Sequence, residues 1–268
     1  MKRNLVWVIA TALSVASFGS AWAADLAPQP YTKAPPPPPP VFSWTGFYIG
    51  INGGGGSARN CWSLVEDSAF DVFDPGLPEG CHRATGGTVG GQIGYRWQGP
   101  SNWVVGVEGQ GNWADFSGGN DSLVFVDPVT GLSTVHNRSR LDAFGLITGQ
   151  IGYAWNNVLL YAKGGGAVTG NRYDAFDIPT GNLLSSANET RWGAAVGAGL
   201  EVGFWQGWSI GVEYDHLFMG NRDVDFNTPG PAPVFDGTDR ISQGVDIGLV
   251  RLNYRFGGAG VGPDYGNY

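Results

Sequence analysis

The sequence is poor in the residues on which most soluble activities depend. Only 15 of its 268 residues are Lys or Arg, against 23 Asp and Glu, giving a formal charge of −8. Nucleic-acid binding relies on neutralising phosphates with Lys and Arg, so this balance excludes it. The three histidines, His82, His136 and His216, and the two cysteines, Cys61 and Cys81, do not fall at zinc-like spacing. The runs Gly53 to Gly56 and Gly164 to Gly166 lack the Lys-Ser/Thr of a phosphate-binding loop and precede no helical pattern. His136 is followed by Asn137, Arg138 and Ser139, but nothing in the sequence joins a Ser-His-acid set, and no enzyme is expected. No cofactor or metal site is expected either. Beyond the first residues, no apolar run is long enough for a transmembrane helix, which takes about 20 residues. Any passage through a membrane must therefore use strands.

The amino terminus has the marks of an export leader. Lys2 and Arg3 form a positive start, Leu5 to Phe18 an apolar core, and Ala21-Trp22-Ala23 a small-x-small cleavage site. Residues 1–23 are thus expected to be a removable signal peptide. Since they hold no acid, subtracting Lys2 and Arg3 takes the charge of the mature chain from −8 to −10. Residues 24–43 carry Pro28, Pro30 and the run Pro35 to Pro40, which favours an extended periplasmic spacer. In an exported chain, Cys61 and Cys81, close together in one polar segment, are expected to form a loop disulfide.

What the chain has in quantity is glycine, 45 residues, and aromatics: 11 Trp, 10 Tyr and 14 Phe. Its organising pattern is clearest between Asp246 and Phe256. Every second residue there gives Gly248, Val250, Leu252, Tyr254 and Phe256 on one face, and Ile247, Leu249, Arg251, Asn253 and Arg255 on the other. A helical period would scatter the two arginines among apolar residues, whereas a period of two separates them.

The same alternation recurs at 44–57, 85–97, 103–114, 140–155, 158–168, 190–204 and 208–216, which makes eight strands with 246–256. Phe47, Ile49 and Ile51 oppose Tyr48, Gly50 and Asn52 in the first of these. In the fourth, Leu141, Ala143 and Ile147 are assigned outward and Asp142, Thr148 and Gln150 inward. Connections alternate between long polar segments (58–83, 115–139, 169–189, 217–241) and short turns at Gln98 to Asn102, Asn156-Asn157 and Trp205 to Gly207. The expected fold is all-β: an eight-stranded antiparallel up-and-down transmembrane barrel over residues 44–256, with a tail at 257–268 and four long surface loops.

The two faces distinguish this barrel from a soluble one. Arg96, Glu108, Lys163, Glu201, Glu213, Arg251 and Arg255 share the inner face, charges of both signs suited to a narrow lumen. Trp97, Trp103, Tyr153, Trp155, Phe204, Trp208, Tyr254 and Phe256 share the outer face beside the short turns, as an interfacial aromatic girdle requires. Inner glycines such as Gly50, Gly94 and Gly199 leave room beside the charges. Eight strands enclose a lumen just wide enough for side chains, so it is expected to be filled.

The chain resembles the small outer-membrane β-barrel proteins of alphaproteobacteria, such as the small surface antigens of brucellae and rhizobia. The resemblance rests on Trp44-Thr45-Gly46-Phe47-Tyr48-Ile49-Gly50 after a Pro-rich lead, on Gly211-Val212-Glu213-Tyr214, and on the closing Leu252-Asn253-Tyr254-Arg255-Phe256. It implies residence in the bacterial outer membrane and a role in envelope integrity, or else a porin-like channel, or a haemin-binding or host-ligand surface; the last would draw on His82, His136 and His216. It also implies contact with outer-membrane lipids, lipopolysaccharide and the barrel-assembly machinery. That machinery reads an aromatic-ended closing strand, here Tyr254 and Phe256; because this chain continues, terminal Tyr268 is the alternative signal. Acids at Glu66, Asp67, Asp71, Asp74 and Glu79, and at Asp223, Asp225, Asp236 and Asp239, read as solvated loop faces or as divalent-ion bridges to lipopolysaccharide.

Overall fold

The computed structural model describes residues 42–69 and 71–256. The expected leader, most of the spacer and the tail, including Tyr268, lie outside the described residues. Eight strands follow one another: β1 (Gly46–Asp67), β2 (Val72–Gln98), β3 (Trp103–Asp121), β4 (Val135–Trp155), β5 (Val158–Asp177), β6 (Leu183–Trp205), β7 (Trp208–Asn227) and β8 (Phe235–Arg255). Each pairs antiparallel with its neighbour in sequence, and β1 pairs with β8 to close the ring. The closing register runs from Tyr48 opposite Arg255 to Asp67 opposite Gly237. Closure leaves no unpaired edge at the level of the bilayer, whose interior would penalise one; above it β6 and β7 part between Ala194/Phe218 and Ser186/Asn227.

The short turns follow from residues that tolerate a left-handed backbone. Asn102 and Asn156 have φ of 64° and 57°, and Gly207 has 78°, at the three tight connections. Trp44 does not join the first strand. The chain turns at Gly46, and the Trp44 ring folds under the bore, 2% exposed, with its Nε1–H donating to the Asn156 carbonyl at 3.1 Å.

Three sequence-based expectations need correction. The four long polar segments are not long loops. The strands run on well above the lipid-facing band: β1 reaches Asp67 and β2 starts at Val72, turns lie at 178–182 and 228–234, and the longest connection among the described residues is the loop at 122–134. Alternation fades in these extensions because their outer face meets water instead of lipid, so polar residues serve on both faces. The cysteine pair is accordingly not in a loop: Cys61 stands directly opposite Cys81 on β1 and β2, with an S–S distance of 2.07 Å. Finally, Leu141 points inward, 1% exposed, and Asp142 outward, the reverse of expectation. Register shifts at Trp113/Phe116 and Leu141/Ala143 mark β-bulges, and one extra residue exchanges the two faces of the strand beyond it.

The outer surface is apolar between two aromatic rings. Trp97, Trp103, Trp155, Phe204 and Phe256 are exposed at the level of the short turns. Trp113, Trp192 and Phe218 are exposed at the other edge. From Trp103 to Trp113 along β3 is about 33 Å of strand. At a typical barrel tilt near 40° this spans about 25 Å, the height of the apolar band of a transmembrane barrel.

The interior is stacked in layers. Trp44, Val104, Ala154, Leu159 and Tyr161 close the periplasmic end. Charged and amide side chains come next, then an apolar layer including Phe116, Leu141, Phe144, Leu146, Leu217 and Ile247. Above it, Asn60, Asn171 and Gln243 form a hydrogen-bonded amide cluster under a second apolar group that contains Trp62, Tyr173 and Phe226.

Candidate functional site

Two polar assemblies occupy the bore: a charged plug within the membrane band and an acidic cup at the extracellular end. The charges of the plug come from six strands, because inward positions of each strand fall at the same level. Arg251 of β8 donates to both Glu108 of β3 and Glu213 of β7. Lys163 of β5 lies 2.7 Å from Glu213, 3.1 Å from Asp215 and 3.7 Å from Glu108. Arg96 of β2 meets Glu201 of β6 at 2.9 Å, and its Nε–H donates to Gln150 at 3.1 Å. All of these charged side chains are buried.

Two tyrosines complete the plug. Tyr48 and Tyr161 each donate a 2.6 Å hydrogen bond, to Glu108 and Glu213 respectively. Their rings lie over glycines: a Cβ at Gly94 would stand 2.5 Å from Tyr48, and one at Gly199 would stand 2.4 Å from Tyr161. The inner glycines are thus seats for aromatic rings. Between those rings sits Arg96, its guanidinium carbon 4.5 Å from the Tyr48 centroid and 5.2 Å from that of Tyr161.

Of the seven charges expected in the lumen, six join this assembly: Arg96, Glu108, Lys163, Glu201, Glu213 and Arg251. Arg255 is buried but stands apart, over the Phe42 ring at 4.6 Å. Asp215 was not among the seven, although its place on the inner face of β7 was legible by alternation. With Asp215, three cations, Arg96, Lys163 and Arg251, meet four carboxylates in the plug. At this level the bore contains a cavity of about 10 Å³, lined by residues that include Trp44, Arg96, Glu201 and Arg255. That is room for one water molecule at most.

The cup is a cavity of about 400 Å³ among the strand extensions. Its walls include Leu64, Phe125, Val135 and Phe226, and its acids are Asp67, Glu79, Asp236 and Asp239. Glu79 is 1% exposed and Asp239 9%. Burial pushes both carboxyls above the usual carboxylate range, and the neighbouring Glu79 charge pushes Asp239 further. Asn137 donates to Glu79 Oε2 and the Ser122 hydroxyl stands within reach of the same carboxyl, while Glu79 Oε1 and Asp239 Oδ1 have no hydrogen-bond partner among the described residues. Of the other acids read as loop residues, Asp223 holds Arg240 at 2.7 Å on the outer wall.

The histidines do not form a common site. His82 is buried, its Nδ1 2.6 Å from Asn120 Oδ1, and burial lowers its basicity. His136 pairs with Asp121 at 2.7 Å and His216 with Asp246 at 2.6 Å. Among the described residues, no group of three or more His, Cys, Asp and Glu is arranged to hold a metal ion. Tyr254 and Phe256 face outward at the periplasmic edge with ring centroids 5.1 Å apart.

Residues 9–230 match the family described as outer membrane protein beta-barrel domain. The chain belongs to that family. This outer-membrane barrel is 30% identical over 263 residues to a 31 kDa outer-membrane immunogenic protein of Brucella melitensis, covering 93% of this chain and 99% of the relative. It is 26% identical over 215 residues to a 22 kDa outer membrane protein of Rhizobium leguminosarum bv. viciae, covering 80% and 77%. Among solved structures, the outer membrane protease OmpT from Escherichia coli aligns with a TM-score of 0.49 at 8% identity, covering 81% of this chain and 98% of that one. The family, the closed ring and the lipid-facing girdles agree: this is an outer-membrane protein whose apolar wall contacts membrane lipid.

Proposed function

We propose that this barrel is a non-conducting, non-catalytic structural protein that contributes to envelope integrity and presents its extracellular wall at the cell surface. The observation that carries this reading is the bridging of the bore by Lys163 and Arg251, which tie β3, β5, β7 and β8 across its interior. The apolar layer of Phe116, Phe144, Leu217 and Ile247 above it is a second barrier to water. A porin-like channel would need both to open. Single-channel recording of the refolded mature protein in a planar bilayer tests this, with a heat-modifiable gel shift to establish folding. Silence is expected; discrete, reproducible conductance steps would replace this reading with the porin.

Lipopolysaccharide is the proposed partner. On the outer wall above the girdle, Arg59 stands directly opposite Arg83, and Arg140 directly opposite Arg172, with Asp174 3.7 Å from Arg140 as the one acid paired to these four among the described residues. Like charges facing each other across strands are destabilising, and an anion between them reverses the sign. Phosphates of the outer-leaflet headgroups have that charge and depth. Replacing Arg140 and Arg172 together by Gln is expected to reduce the lipopolysaccharide that co-purifies with the folded barrel; unchanged retention would sink the assignment. For assembly, the outward-facing Tyr254 and Phe256 on the closing strand are the proposed recognition signal. The curated relatives from Brucella carry the word immunogenic in their names, which suits a surface-presented barrel.

A further inference from the structure

The extracellular cup has the features of a ligand site that a structural role leaves unused. Its two most deeply buried acids, Glu79 on β2 and Asp239 on β8, both line the cavity, and each keeps one buried oxygen without a hydrogen-bond partner among the described residues. Buried carboxylate oxygens in native proteins almost always have partners, so two in one cavity call for an occupant. Among the described residues, neither Lys nor Arg lines the cavity. This contrasts with the plug below, where every carboxylate lies within ion-pairing distance of an Arg or Lys. The remaining walls are largely apolar: Leu64 from β1, Phe125 from the 122–134 loop, Val135 from β4, Ala175 from β5 and Phe226 from β7. A volume of about 400 Å³ falls within the range of small-molecule sites.

We propose that this cup binds a small organic monocation, a primary ammonium group on an apolar body, with Glu79 Oε1 and Asp239 Oδ1 as acceptors.

The chemistry selects among cations. A divalent ion needs six or more oxygen ligands, and no cluster arranged for a metal is present among the described residues. A guanidinium takes both oxygens of one carboxylate, which Asp239 alone could offer since Glu79 Oε2 is held by Asn137, and it would leave Glu79 Oε1 unmet. An ammonium has three donors at one point and can meet one oxygen from each acid. Its apolar body would then lie against Phe226 and Phe125, which line the same cavity. Since the acids come from strands remote in sequence, binding would also tie β2 to β8 across β1. The inference does not depend on whether the bore conducts.

The test uses the full mature chain folded in phosphatidylcholine nanodiscs, titrated calorimetrically with 2-phenylethylamine, with its neutral isostere 2-phenylethanol, and with calcium chloride. Saturable binding of the amine is expected, about tenfold or more tighter than the alcohol, because a site built around N–H donors rejects an uncharged isostere. Glu79→Gln and Asp239→Asn, which preserve shape, are each expected to weaken the amine and leave the alcohol unchanged, with the heat-modifiable gel shift retained. Equal affinity of the wild-type barrel for amine and alcohol would overturn the proposal without requiring any variant to fold. So would the absence of saturable amine binding, or stoichiometric displacement of the amine by calcium.

Discussion

The plug and the cup are two solutions to the same problem, a carboxylate placed inside a narrow barrel. In the plug, Glu108, Glu201, Glu213 and Asp215 are each within 3.1 Å of a cation from another strand. In the cup, Glu79 and Asp239 have no cationic partner, and burial holds both toward the protonated form. The difference follows depth. Within the lipid band the wall cannot exchange ions with water, so an uncompensated charge would be expensive and each is matched. Above the band the barrel opens to solvent, and a carboxyl there can wait for a proton or a cation. Compensation in the plug fixes the strands against one another; the want of it in the cup leaves a site.

The largest effect should come from removing one cation of the plug. Arg251→Met leaves Glu108 and Glu213 sharing Lys163 alone, and breaking a buried pair from one side typically costs about 3–5 kcal/mol. Urea unfolding of the lipid-embedded barrel should register that loss. Combining Arg251→Met with Glu108→Gln and Glu213→Gln should recover much of it, because no charge is then stranded. If the single substitution is as stable as the wild type, the plug is not what fixes the bore.

A smaller effect, of opposite dependence on charge, is expected in the cup. Glu79 and Asp239 have folded-state pKa values raised above those of the unfolded chain. Their contribution to stability is therefore complete at pH below the usual carboxylate range and is lost as pH rises through the raised values. Hydrogen exchange in the upper parts of β2 and β8, corrected for intrinsic rates, should show protection falling as the pH is raised above that range. Asp239→Asn should flatten the profile, and a profile equally steep in the variant would show that the burial of Asp239 is not its cause. Amides in the membrane band should not follow this trend.

Much of the plug was legible because lipid enforces strict alternation. Glu108, Lys163, Glu201 and Arg251 each fall on the polar face of a strand whose other face is made of apolar and aromatic residues and glycine. Leu141 and Asp142 escaped because a bulge is invisible to a period of two. Glu79 and Asp239 were visible as acids but read as solvated, because nothing in a polar segment with water on its outer side announces that it is still wall. The upper aromatic ring of Trp113, Trp192 and Phe218 had a signal in the sequence, since each continues the outward face of its strand, but it stands apart from the short turns that drew attention to the lower ring.

By itself the sequence determined the class of fold, the strand count and the compartment, since each depends on local periodicity imposed by two solvents. Only the tertiary structure decided which charges meet. Ring closure and register place Arg251 between Glu108 and Glu213, residues 143 and 38 positions away, and it brings Glu79 and Asp239 into one cavity. Those pairings depend on how far each strand is staggered around the ring. That stagger is fixed cooperatively by eight ladders of hydrogen bonds, and no single segment carries it.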